Sequence, residues 1–349
     1  MIDMSFDSTW RDQIKDSEGN NLRISWFLMT SEAFRHTTQG INAVPDIFLE
    51  HFASNARSFG DEVGWHYHHC GWFESENRRG YGCHPIETFD NSTYGNTTDR
   101  QLAAAHLSAF IYKNRLYPAI YRAGWIWENT DFSNWLDSLI PFDYSHNWEE
   151  VNPLLDRYHP SAQDLYMAGD QARTIVRSFD PTDWERVRRA FEQANTGEDV
   201  IISYYTHNYG STYVENNPVQ RNAEKMHELL TALRREFGVP FRYVGASEAL
   251  RAVQFKGLCP AYEPSIRVDG RGRNIRIIGD VETFGVPIIC FQYSSDRYGL
   301  EFMQKLPDNQ GWRYRLDYDT TVSYVIATVS RRGATFVSDR FVLIPDSVH

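Results

Sequence analysis

Gly60-Asp61-Glu62-Val63-Gly64-Trp65-His66-Tyr67-His68-His69 is the stretch whose reading decides both fold and chemistry in this chain. Residues 62–68 read as a strand, with Gly60 closing the helix before it. Residues two apart on a strand share a face, so His66 and His68 point the same way. Two imidazoles with a carboxylate suit a divalent metal, zinc above all, that keeps positions open for water and substrate. Each buried imidazole needs partners for two nitrogens, so histidines this crowded seldom serve only as core filler. Should the strand end early, His69 takes the place of His68.

Outward from that strand, short apolar runs alternate with helical patterns. Residues 22–29 read as a strand. A helix follows over 45–59, where Phe48, Phe52, Ala56 and Phe59 recur at helical spacing. Residues 70–97 read as a loop, long enough to expect a functional role. Thr98 and Gln101 form a capping-box signature for a helix over 99–114. Then come a strand over 119–123, a helix over 131–139 and a strand over 142–145. Asp180-Pro181 opens a helix to residue 194, with proline in its favoured first position. A β-branched and aromatic strand over 199–207 is expected to be buried on both faces. A helix striped by Ala223, Met226, Leu230, Leu233 and Phe237 ends at Gly238, followed by a strand at 241–244 and a helix at 247–253. Such alternation implies an α/β fold with a parallel sheet, expected to close into a barrel spanning 1–258. After Cys259-Pro260 the period becomes that of strands. Residues 265–268 and 274–278 flank the turn Asp269-Gly270-Arg271-Gly272, and further strands are expected at 287–293, 312–318, 321–330 and 334–343. A small all-β sandwich domain is therefore expected over 259–349.

Composition narrows the function. A net charge of −11 argues against nucleic acid, which needs basic patches to displace counterions. No apolar run reaches the roughly 18–20 residues that span a bilayer. The first twenty residues hold no apolar signal core, and Cys70, Cys83, Cys259 and Cys290 form no CxxC pair. A reduced, cytoplasmic setting is the expectation. The aromatic share of 15% suits a carbohydrate partner, because a sugar ring offers an apolar face to an amphipathic side chain.

The quoted strand resembles the "G-[HD]-E-[IV]-G-x-H" strand of the polysaccharide deacetylase, or NodB-like, superfamily, in its divergent members with an HxH pair. Ile24-Ser25-Trp26-Phe27 resembles that family's "TWF" strand. Tyr121-Arg122-Ala123-Gly124-Trp125 is similar to its arginine motif, and Phe142-Asp143-Tyr144-Ser145 to its "yDsS" strand. The family's late histidine falls on His207 in Ser203-Tyr204-Tyr205-Thr206-His207. The matches run in family order over residues 20 to 255.

The resemblance implies a distorted (β/α) barrel of the NodB type and a metal-dependent hydrolase that removes an acyl group from an N-acylated sugar. It implies a divalent ion held by Asp7, His66 and His68, with Asp7 as base, Arg122 orienting that carboxylate, and His207 protonating the leaving amine. The family's first strand ends in two adjacent acids, whereas Phe6-Asp7-Ser8 carries serine in the second place. Asp3 shares a strand face with Asp7 but lies roughly 13 Å away along it. Either Asp7 serves alone or the acidic strand lies upstream of Met1. A barrel that binds carbohydrate without turnover, and a metal hydrolase of non-sugar C–N bonds, are the competing expectations.

Overall fold

A computed structural model describes residues 2–32, 35, 40–69, 71–75, 78–82, 99–124, 128–145, 156–179, 183–207, 217–260, 262–269, 272–278, 282–307, 310–316 and 322–343. The chain is mixed α/β. After a short 3-10 turn (Ile2–Phe6), α1 (Ser8–Arg11), β1 (Ser25–Thr30), α2 (Ala43–Phe59) and β2 (Glu62–Tyr67) begin a parallel sheet. Ser25 pairs with Glu62 and Thr30 with Tyr67. Gly60 ends α2 in the left-handed region (φ 69°), where its lack of a Cβ removes the steric cost. Part of the span expected to be a loop instead forms a hairpin of β3 (Gly71–Ser75) and β4 (Arg78–Gly82). Next come α3 (Asp99–Asn114), β5 (Ile120–Ala123), α4 (Thr130–Leu136), β6 (Phe142–Asp143), β7 (Arg157–Tyr158) and β8 (Thr174–Val176). Helices α5 (Trp184–Ala194), α6 (Pro218–Phe237) and α7 (Ala246–Phe255) complete this part. Thr98 and Asp180-Pro181 lie outside the described residues, and α5 is capped by Asp183.

The sheet order is β1-β2-β5-β6-β8-β7, parallel except for β7 at the edge. Two expected strands are not regular strands. Residues 201–206 touch the sheet through a single bridge, Tyr204 to Phe179, and are half-buried rather than covered on both faces. Residues 241–244 bond instead to the segment before β1, where Ser17 N donates to Phe241 O and Tyr243 N to Asp16. Aromatic and β-branched content extends a segment, but a ladder also needs a neighbour of matching length. β8, only three residues long, offers little. β8 itself is unforeseen in the sequence because Arg173 and Arg177 hide its short apolar run.

The remaining strands are β9 (Ser265–Val268), β10 (Asn274–Ile278), β11 (Ile288–Ser294), β12 (Arg297–Phe302), β13 (Gln304–Lys305), β14 (Gly311–Arg315), β15 (Val322–Val329), β16 (Thr335–Val337) and β17 (Phe341–Leu343). They form two antiparallel sheets, β13-β14-β10-β9 and β12-β11-β15-β16 with β17 beside β15. Side-chain alternation divides the work of β11 and β15. Ile289, Phe291, Tyr324 and Ile326 face the other sheet, while Ile288, Cys290, Val325 and Ala327 join the core cluster that holds Leu107 and Phe110 of α3 and Trp65 of β2. Among the described residues, no helix is long and apolar enough to cross a membrane.

Candidate functional site

His66 lies near the carboxyl end of β2 and His68 just beyond it. Their Nε2 atoms stand 2.9 Å apart and their rings meet edge to face. His66 Nδ1 lies 2.8 Å from the carbonyl oxygen of Arg122, the residue paired with it on β5. That carbonyl can only accept, so Nδ1 carries the proton and Nε2 presents its lone pair to His68. Alternation along the chain settles which neighbour joins His66. His69 turns to the opposite face, buried with its ring 4.5 Å from that of Phe132 and 4.7 Å from that of Tyr67.

The pair is held neutral. Burial pushes His66 well below the usual histidine range, and the charges of His68 and Arg122 add to the effect. Burial, with His69 and His207 nearby, brings His68 down to about 4. Uncharged imidazoles are what a metal requires of its ligands. The two Nε2 atoms are close enough that His66 and His68 could both turn a nitrogen to one ion. The carbonyl on Nδ1 is the kind of outer partner that fixes a ligand's tautomer.

The third expected ligand is not brought here. Asp7 caps α1, its carboxylate accepting from Thr9 N at 2.8 Å in full solvent exposure. Residues 2–6 and 8–11 are helical, with no strand around Asp7, and Arg11 at the end of α1 is locked to Asp61, which precedes β2. Asp61 also accepts from Ile24 N and Trp26 Nε1, which fixes α1 to the amino end of β2. His66 and His68 are at the other end, so Asp7 as base and ligand is corrected to Asp7 as a helix cap. The side chain of Asp3 lies outside the described part. Among the described residues, no group of three His, Cys, Asp or Glu side chains is placed to hold an ion. The two histidines thus fit a metal's ligands in part, and the described chain supplies no carboxylate beside them.

Arg122 and His207 do reach the site. Arg122 is buried, 7% exposed, its guanidinium 4.3 Å over the ring of Tyr205 while Nη1 donates to Tyr144 O at 2.5 Å. Burial lowers it to about 10 against the pull of Tyr205 and Asp143. His207 is exposed at the rim, and burial of part of its ring together with Arg122 lowers its pKa. All four side chains, with Tyr144 and Tyr205, line a cavity of about 1420 Å³ bounded by β1, residues 200–207 and residues 239–246. Tyr205 was missed in the sequence, although its place two residues before His207 puts it on the same face of an extended segment. Asp143 turns inward, with one oxygen on Arg173 and the other accepting from Ser145 N at 2.8 Å.

No family model matches the chain, and no curated protein matches it. Among solved structures, the crystal structure of an engineered protein aligns over 96% of this chain and 88% of its own, at 12% identity and a TM-score of 0.26, a likeness too slight to bear on fold or function.

Proposed function

We propose that this chain is a metal-dependent hydrolase that removes an acyl group from an N-acylated sugar, built on a distorted (β/α) barrel of the NodB type. The observation that carries the reading is the convergence of two neutral imidazoles, 2.9 Å apart, at the carboxyl end of a parallel strand. Barrel enzymes assemble their sites at that end. The sheet order supports the barrel, as does the bridge that sets residues 201–206 beyond β8. His66 and His68 would hold the ion, which when bound supplies a Lewis acid and a water of lowered pKa. His207 faces the same cavity from the rim. Burial and Arg122 favour its uncharged form, in which it would take a proton from the attacking water and then return it to the leaving amine. Tyr144 and Tyr205 offer ring faces to a sugar.

His66→Ala should remove most bound zinc, because His68 alone cannot hold an ion against water. Elemental analysis of wild type and variant after zinc loading checks this, and full occupancy in the variant would sink the assignment. A second reading, a barrel that binds carbohydrate without turnover, is favoured by the absence of a carboxylate beside the pair among the described residues. Wild-type protein that holds no zinc yet binds sugars would support it over the first.

A further inference from the structure

A buried guanidinium ordinarily has a carboxylate beside it, because taking a lone charge out of water costs several kcal/mol. Arg11 has Asp61, and Arg173 has both Asp143 and Glu128. Arg122 differs. Its contacts among the described residues are a backbone carbonyl and the face of Tyr205, and it forms no ion pair there. Asp143, an acid whose charge acts on it, bonds Arg173 and Ser145. Arg122 lines the cavity that also carries His66, His68 and His207. None of those three is an anion. Among the described residues Arg122 is therefore a buried cation without an ion pair, fixed in place by Tyr144 and Tyr205.

We propose that Arg122 anchors an anionic group of the ligand, a carboxylate or a phosphate, inside the cavity beside the histidine pair. A planar fork of N–H donors fits either anion, and the partly dry setting strengthens the contact. The natural ligand is then an acylated amino sugar, or a similar acylated amine, that carries a negative charge within reach of the acylated nitrogen. As a statement of substrate class this rests on the hydrolase reading; as a binding site it does not. The same geometry says why a neutral ligand binds less well: it leaves the guanidinium buried and unpaired.

The test uses the full chain, stripped of metal and then desalted so that no chelator competes for the cation. N-acetylmuramate and N-acetylglucosamine 6-phosphate are titrated against neutral N-acetylglucosamine, by calorimetry and by thermal melting. At least one charged sugar should bind about 10- to 100-fold more tightly than the neutral one, the worth of one hydrogen-bonded charge. Which of the two gains shows whether the anion is a carboxylate or a phosphate. Arg122→Gln keeps a donor for Tyr144 and drops the charge, so it should erase the preference. Free of ligand, that variant should melt no lower than wild type, since it removes a buried cation without an ion pair among the described residues. No preference for either anion in wild type, a preference that survives in Arg122→Gln, or a lower melting temperature for the free variant would each overturn the proposal. Anion preference in a protein that holds no zinc would leave the anchor standing and remove the hydrolase reading alone.

Discussion

A Cβ added at Gly124 would stand 2.4 Å from Cγ of His68 and 2.7 Å from its Cα. The ring of His68 can lie against His66 only because residue 124 has no side chain. Gly124→Ala should push His68 away from its partner, costing about 1–3 kcal/mol as overpacking does and lowering zinc content together with stability. Melting and elemental analysis read the two effects, and an alanine variant with wild-type zinc and melting temperature would show the contact to be irrelevant. At this scale the sequence was informative where period alone decides. The shared face of His66 and His68 follows from spacing, and the opposite turn of His69 follows from the same rule. The roles of Gly124, Tyr144 and Tyr205 depend on which residues of β2, β5 and the 201–206 segment come abreast. That register comes from the packing of the whole sheet and has no local signature in the sequence. Asp7 was misplaced for a related reason: a carboxylate before Ser8-Thr9 also makes a good helix cap, and the cap is what forms.

Elements with an apolar stripe, α2 and α6 among them, were legible, and so were α3 and the strands β1, β2 and β5. The short strands β7 and β8 and the irregular segments 201–206 and 241–244 were read poorly, because two- and three-residue strands carry no period and pairing is fixed by partners far along the chain. Between elements, one buried ionic cluster does the joining. Glu32, just after β1, lies 3.1 Å from His106 Nε2 of α3 and accepts from Arg35, which also bonds Asp296 in the turn between β11 and β12. Both ring nitrogens of His106 face oxygen acceptors, the second being Ile41 O. Burial alone would raise the pKa of Glu32, but His106 and Arg35 outweigh it and bring the carboxyl from 4.5 down to about 2. A carboxylate depressed in the folded state adds stability above its unfolded pKa and loses it as pH falls through the folded one. Glu32→Gln should therefore cost about 3 kcal/mol at neutral pH, with the gap to wild type closing between pH 4.5 and about 2. Denaturant titrations of both proteins across that range measure it, and a gap that stays constant with pH would show that Glu32 is not the titrating group.

For the whole molecule, the change of pattern near residue 259 marks a change of architecture, but the apolar core does not stop there. β11 and β15 are buried on both faces, one against the sheet of β9, β10, β13 and β14, the other against α3. Ser108 of α3 donates to Gly299 O at 2.5 Å, and Tyr112 meets Ser323 at 2.7 Å. Val286 N bonds Ser138 O, and Arg35 reaches Asp296, so several polar contacts stitch the same boundary. None of this is legible in a sequence read by local period, since the buried residues of α3 run all round the helix without telling what covers each side. Its cover turns out to be shared between the parallel sheet and strands almost two hundred residues further on. A chain ending at residue 258 would uncover Leu107 and Phe110 on α3 and the apolar surface around them. Each such side chain returned to water costs about 1.5–3 kcal/mol, and a domain's whole margin is about 5–15 kcal/mol. The truncated chain should therefore be aggregated or molten rather than an independent folded unit. It should show no cooperative thermal transition and should fail to hold zinc, although it retains His66, His68, Arg122 and His207. Circular dichroism melting and size-exclusion chromatography on the truncated chain decide the matter. A monomer with a sharp transition near that of the full chain would mean that the antiparallel part packs on the parallel part without stabilising it.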